Sequence, residues 1–138
     1  MSRNVETDRE ALVAAARAVR DNAHAPYSRF KVGAAVLDER GRIHAGANVE
    51  NAAYPQGWCA ETSALAALVA AGGKRVLAVA VCAVAEAPVT PCGGCRQKLR
   101  EFAADDCPVW AADLGGLRAT HTLGELLPCS FGPHHLAP

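Results

Sequence analysis

The sequence predicts an α/β sandwich: a mixed five-stranded sheet with helices on both faces. Three observations carry that reading. Helical and strand periodicities follow one another in the order α-β-β-α-β-α-β-β-α, which interleaves helices with strands. The segment Arg75–Val84 is apolar after its arginine and contains four valines, the pattern of a strand covered on both sides. No internal repeat, low-complexity tract or linker divides the 138 residues, so 1–138 reads as a single domain.

The first element is a helix over Asp8–Ala23. Thr7 and Glu10 have capping-box spacing, and Leu12, Ala15, Ala16 and Val19 recur on one face. Pro26 disfavours a helical residue before it and ends the segment. Lys31–Leu37 and Ile43–Asn48 read as a hairpin around Asp38-Glu-Arg-Gly41. The polar loop Asn48–Trp58 leads into a second helix, Cys59–Ala71, stopped by Gly72-Gly73. From Thr62 to Ala71 this helix carries no charge on any face, so it is expected to be buried on more than one side. The strand Arg75–Val84 follows, then a Pro88–Pro91 loop and a third helix over Gly93–Ala103. Val109–Asp113 and Arg118–Thr122 flank Leu114-Gly-Gly116 as a second hairpin, and Thr122 with Glu125 caps a short last helix.

Composition narrows the function. A chain of this length buries roughly two-thirds of its unfolded surface and needs no disulfide staples. Hydrophobic residues are 51% and charged residues 20%, which is globular and not disordered. Lys+Arg and Asp+Glu both number 14, for a formal net charge of +0, and this argues against a nucleic acid polymer as partner. The opening Met1–Glu10 is polar and has no apolar leader segment. The apolar stretches Ala64–Ala71 and Val76–Ala85 fall far short of the roughly 20 residues of a membrane span. The expectation is a cytoplasmic protein, not a membrane one, in which six cysteines serve as metal ligands or core residues.

The chemistry gathers in two places: Cys59-Ala-Glu61, and Pro91-Cys92-Gly-Gly-Cys95. Two thiolates separated by two residues at a helix start can share one tetrahedral metal, and Cys59 at another helix start can supply a third ligand. Helix N-termini stabilise the deprotonated thiol through free amides and the dipole. Glu61 is too close to Cys59 to be a comfortable fourth ligand, but is well placed beside an open one. Other readings stand beside this one. A Cys-x-x-Cys pair can be a redox pair, although no thioredoxin-like strand precedes it. A closed structural zinc site would take its fourth ligand from Cys82, Cys107 or Cys129, and would leave Glu61 without a purpose. Cys82 lies in an apolar strand and reads as core. The five histidines, His24, His44, His121, His134 and His135, show no ligand spacing among themselves.

Cys-x-Glu followed by Pro-Cys-x-x-Cys is similar to the signature of zinc deaminases in its three-cysteine form. Beyond that pair, the chain from Ala25 to about Leu136 resembles the cytidine deaminase family of the small, homotetrameric type. The resemblance rests on Ala25-Pro-Tyr-Ser-Arg-Phe-Lys-Val-Gly33, Asn48-Val-Glu-Asn51, Cys59-Ala-Glu61, Pro91-Cys-Gly-Gly-Cys-Arg-Gln97, and Glu125-Leu-Leu-Pro128 with Phe131-Gly-Pro133. It implies a three-layer α/β/α fold, one zinc ion per subunit, a homotetramer, and hydrolytic deamination of the nucleosides cytidine and deoxycytidine. Blasticidin-type deaminases share much of the motif set; Asn48-Val-Glu-Asn51 and Phe131 favour cytidine. A non-catalytic zinc-stabilised module, closed by Cys82 or Cys129, is the alternative from another class.

The resemblance also assigns roles. Cys59, Cys92 and Cys95 hold zinc, and Glu61 shuttles protons. Asn48 and Glu50 match residues that bind ribose hydroxyls, amides near Ala60 hold the pyrimidine carbonyl, and Phe30 matches an aromatic near the base. Phe131 matches an aromatic contributed by a neighbouring subunit. The chain departs from the pattern at Thr62, where many members carry an Arg against the zinc-bound thiolates. The expectation is that helix-terminal amides, together with Arg96, offset the thiolate charge instead.

Overall fold

The computed structural model describes residues 4–136. Its regular elements are α1 (Arg9–Arg20), β1 (Val32–Asp38), β2 (Ile43–Ala47), α2 (Ala60–Ala70), β3 (Val76–Ala83), α3 (Gly93–Arg100), β4 (Pro108–Asp113), β5 (Gly116–Thr122) and α4 (Leu123–Leu126). The strands form one sheet in the order β2-β1-β3-β4-β5. β3 and β4 are parallel, with α3 in the connection between them, and the other three pairings are antiparallel. The mixed five-stranded sheet is thus as the sequence predicts.

Each face of the sheet has its own core. On one, Leu12 and Ala16 of α1 pack against Ala35, Leu37, Ala78, Ala80, Cys82 and Trp110. On the other, Ala64, Leu65 and Leu68 of α2 and Leu99 of α3 pack against Ala34, Val36, Val79, Val81 and Val109. Alternate residues of β1 and β3 therefore serve opposite cores, as a pleated strand between two helical layers must. Two glycines permit the close approach. A Cβ on Gly33 would lie 1.9 Å from the Ala16 carbonyl oxygen of α1, and one on Gly46 would lie 2.3 Å from the Ala64 nitrogen of α2.

The element ends differ from expectation for local reasons. Residues Val5–Asp8 form a 3-10 turn before α1, and Asn4, not Thr7, is its cap: Asn4 Oδ1 accepts from the Glu6 amide at 3.2 Å. Thr7 Oγ1 instead donates to the Asn4 carbonyl at 2.9 Å. α1 stops at Arg20 and not Ala23, because the Asn22 and Ala23 amides close tighter three-residue turns onto Val19 and Arg20. α3 likewise stops at Arg100, and the Phe102 carbonyl turns to accept the Val76 amide of β3 at 3.0 Å. α2 is less covered than its composition implies. Leu65 and Leu68 are buried, but Val69 is 49% exposed and Ala66 and Ala70 face outward.

The first hairpin is tied by a buried carboxylate. Asp38 Oδ1 accepts the Arg40 and Arg42 amides, both at 2.9 Å, and Oδ2 meets Arg42 Nε and His44 Nε2, both at 2.8 Å. Burial alone would raise the Asp38 pKa, but the His44 bond and the Arg42 and Arg40 bonds outweigh it and hold the carboxyl well below its ordinary value. Arg42 Nη1 also donates to the Ala71 carbonyl at 3.1 Å, which fastens the hairpin to the end of α2.

Candidate metal centre and active site

The site forms where two helices begin side by side. Cys59 is the N-cap of α2 (φ −73°, ψ 158°) and Cys92 is the N-cap of α3 (φ −65°, ψ 166°). Their extended backbone ends where helical hydrogen bonding starts: the Ser63 amide donates to the Cys59 carbonyl at 3.1 Å, and the Arg96 amide to Cys92 at 2.9 Å. Cys95 follows in the first turn of α3 and is buried. The three sulfurs lie within 4.8 Å of one another, and those of Cys59 and Cys92 are 3.7 Å apart although 33 residues separate them.

This donor set fits zinc. Bonds of about 2.3 Å to a tetrahedral zinc place two sulfurs about 3.8 Å apart. Three thiolates leave the fourth position without a protein ligand, and the neighbouring acid is Glu61, 5% exposed in the first turn of α2. Among the described residues the metal-ligating cluster contains these three cysteines and no fourth ligand. Cys82 is packed with α1 on the opposite side of the sheet, and Cys107 is in the core beside Leu123. Neither of them, nor Cys129, belongs to the sulfur cluster, so none of the three closes the site.

Burial dominates the electrostatics. It raises Glu61, against its own backbone amide and the charge of Lys98, which pull the other way. It also raises Cys59 and Cys95, and for Cys95 the hydrogen bond with Thr62 opposes the rise. Burial pushes Cys92 up as well, but the Cys95 amide and the two neighbouring thiols prevail, so its net shift is downward. A buried carboxyl whose pKa is raised above the usual carboxylate value is suited to hold a proton and return it.

A cavity of about 290 Å³ opens onto the cluster. Phe30, Asn48, Glu50, Cys59, Ala60, Glu61 and Cys92 all line it, so seven sequence-predicted site residues from four segments meet here. Asn48 and Glu50 already have partners. Asn48 Nδ2 donates to the Phe30 carbonyl at 2.8 Å, and its Oδ1 accepts the Val32 amide at 2.9 Å. Glu50 accepts the Tyr27 and Ser28 amides at 3.1 and 3.0 Å and the Ser28 hydroxyl, bonds that lower its pKa, the hydroxyl bond most of all. These two residues thus shape the loop that carries Phe30. Asn48 retains one amide N–H for a ligand.

Phe131 is not part of this cavity. It is 56% exposed, stacks on His135 with ring centroids 4.9 Å apart, and borders a separate cleft with Gln97 and Glu101. Arg96 does not offset the thiolates. Its Nε donates to the Pro91 carbonyl at 2.6 Å, Nη1 to Leu126 at 2.7 Å and Nη2 to Thr90 Oγ1 at 2.9 Å, so it clamps the loop before α3 to the end of α4. Ser28, Val89 and Thr90 also line the cavity and are missing from the sequence-based set. Ser28 lies in the same block as Phe30, whereas Val89 and Thr90 sit in a loop without periodicity. Lys98 was missed too. It lies three residues after Cys95, one helical turn away on the same face, which is a readable signal.

Comparison with known proteins agrees with this geometry. Residues 6–111 match the family described as the cytidine and deoxycytidylate deaminase zinc-binding region. The chain is 42% identical over 130 residues to a cytidine deaminase of Sporosarcina psychrophila, covering 94% of this chain and 96% of that protein. It is 44% identical over 124 residues to a cytidine deaminase of Halalkalibacterium halodurans, covering 90% and 94%. Among solved structures, a cytidine deaminase from Burkholderia pseudomallei superposes with a TM-score of 0.82 at 42% identity, over 88% of this chain and 98% of the other.

Proposed function

From the premise that the chain belongs to the cytidine and deoxycytidylate deaminase family, we propose that the cavity above Cys59, Cys92 and Cys95 is the active site, with Glu61 as its acid–base group. The protein is a zinc-dependent hydrolase that deaminates cytidine. The observation that supports the site assignment is the placing of a buried carboxyl, Glu61, beside a three-sulfur cluster with no fourth protein ligand among the described residues.

Zinc held by the three thiolates supplies Lewis acidity that makes water a nucleophile near neutral pH. Glu61 takes a proton from the attacking water and delivers it to N3 of the ring, as oxygen bonds to C4. The remaining hydroxyl proton passes through the same carboxylate to the amino nitrogen at C4. Ammonia leaves, and the C4 carbonyl of uridine remains. One residue serves both transfers because burial raises its pKa above the ordinary carboxylate value, which favours uptake of the proton it then returns.

The other side chains position the nucleoside. The amide of Ala60, at the start of α2, is directed to the pyrimidine carbonyl, and Phe30 packs near the base. Asn48 and Glu50 meet the ribose hydroxyls with the donor and acceptor capacity their loop contacts leave over. Since the 3′-hydroxyl is common to ribose and deoxyribose, deoxycytidine belongs to the same reading. Phe131 completes the site of a neighbouring subunit in a homotetramer, and the outward Ala66, Val69 and Ala70 of α2 support packing between subunits. No helix among the described residues is long and apolar enough to cross a membrane. Cysteines used as metal ligands suit a reducing compartment, and the cytoplasm is the proposed setting.

Conversion of cytidine to uridine, followed by ultraviolet absorbance with ammonia measured in parallel, tests the reading. Stoichiometric loss of cytidine and gain of ammonia, abolished in Cys92→Ala, is the expected result. A zinc-loaded chain that leaves cytidine and deoxycytidine intact overturns it.

A further inference from the structure

Three thiolates on one divalent zinc leave a formal charge of −1 in a partly buried site, and a charge there needs a partner. The cation whose hydrogen bonds lead to the cluster is Lys98. Its Nζ donates to Thr62 Oγ1 at 3.0 Å, and the same Oγ1 lies 3.4 Å from Cys95 Sγ. The direction of the second bond follows from the first. With the ammonium donating to the Thr62 oxygen, the Thr62 hydroxyl hydrogen is free, and a thiolate at Cys95 can only accept it. Lys98 and Cys95 sit one turn apart on α3 while Thr62 belongs to α2, so the chain of bonds also spans the two helices that supply the ligands.

We propose that Lys98, acting through the Thr62 hydroxyl, is a positioning residue that offsets the charge of the three-thiolate zinc site and steadies Cys95 as a ligand. This rests on the zinc reading of the cluster. Lys98 does not touch a sulfur itself. Its charge is relayed by a hydroxyl that is polarised from one side and donates on the other, and such chained bonds strengthen one another. Neither residue stands in for the other: Thr62 without Lys98 keeps a weaker donor, and Lys98 without Thr62 has no hydrogen-bonded route to Cys95.

Zinc affinity, measured by competition with a chromophoric chelator, reads this directly. Groups that hydrogen-bond metal ligands typically change metal affinity by about 10–100-fold, and Lys98→Met is expected to weaken binding within that range. Lys98→Arg keeps the cation and is expected to restore most of the affinity. Thr62→Val removes the last link of the same relay from α2, without touching α3, and the double variant is expected to lose no more than Thr62→Val alone, as coupled residues do. In cobalt-loaded protein, loss of the hydrogen bond to Cys95 is expected to move the sulfur-to-metal charge-transfer band to longer wavelength, a shift that a general loosening of the fold does not predict. Circular dichroism verifies folding of each variant. A folded Lys98→Met chain that holds zinc as tightly as the wild type overturns the relay alone, as does additive loss in the double variant. A wild-type chain that binds no zinc overturns the metal reading along with it.

Discussion

Gly46 of β2 passes so close to α2 that a Cβ there would lie 2.3 Å from the Ala64 nitrogen and 2.6 Å from the Ser63 carbonyl carbon. Both are backbone atoms of the helix that begins with Ala60 and Glu61, and neither can swing aside like a side chain. Gly46→Ala therefore has to push α2 away from the sheet. Overpacking of this kind costs about 1–3 kcal/mol and occasionally more, and backbone contacts place Gly46→Ala at the upper end. The expected result is a lower melting temperature together with weaker zinc binding, because the helix carries Glu61 and is capped by Cys59. Unchanged melting would show that α2 has slack the structure denies it.

Glu61→Gln is expected to fold, to keep its zinc and to lose turnover. Gln has nearly the same shape, and Glu61 is not one of the three ligands, so neither the core nor the metal set is disturbed. What disappears is the capacity to hold a proton. Removal of a general acid–base typically costs about 10²–10⁴-fold, and a group used in two successive transfers belongs at the high end. Zinc content per chain, melting temperature and steady-state kinetics separate these effects. Loss on the order of tenfold or less at full zinc content contradicts the proton-transfer role.

The extent to which the sequence foretold these features depends on how local the determining forces are. β3 was legible because burial on both faces writes an uninterrupted apolar run, and Val76–Ala83 is that strand. The metal centre was legible because Cys92 and Cys95 lie within one helical turn, and Cys59 repeats their helix-start context. The end of α1 was not, since periodicity alone cannot tell whether Asn22 and Ala23 continue the helix or close tighter turns. The role of Arg96 differs from expectation for a related reason. It adjoins a ligand in sequence, but side chains one residue apart on a helix point in different directions, and it points to the loop before α3 and the end of α4. Thr62 meets Lys98 across two helices, a contact only tertiary packing creates.

Phe131→Ala is expected to raise KM for cytidine far more than it lowers stability. The ring is 56% exposed in its own chain and lies outside that chain's cavity, so truncation removes little buried surface from the fold. If it closes a neighbour's site, its loss removes an aromatic contact with the substrate, of a kind worth about 0.5–1.5 kcal/mol beyond simple burial. Sedimentation alongside kinetics tells whether assembly itself is preserved. A monomer with full activity, or a variant with unchanged KM in an intact assembly, refutes this role for Phe131.

Asp38→Asn tests the carboxylate that ties the first hairpin, and its effect has to depend on pH. The Asp38 side chain is fully buried against Arg42 and His44 and takes the Arg40 and Arg42 amides as well. Arg42 is partly solvated, so the loss is that of hydrogen bonds to a charged group, about 1.5–3 kcal/mol, and Asn, which keeps one carbonyl oxygen, belongs near the lower figure. The folded pKa lies below the ordinary value of 3.8, so the folded state holds the charged form more tightly than the unfolded chain does. The stability this contributes is complete above 3.8 and drains away as pH falls below it toward the folded value. The gap between wild type and Asp38→Asn is therefore expected to be widest near neutral pH and to narrow on acidification through that range. Acid also strips metal from thiolates, but it does so in both proteins, so the difference between their denaturation midpoints isolates Asp38. A gap that stays constant, or widens as pH falls, shows that the carboxylate is not held charged by the hairpin around it.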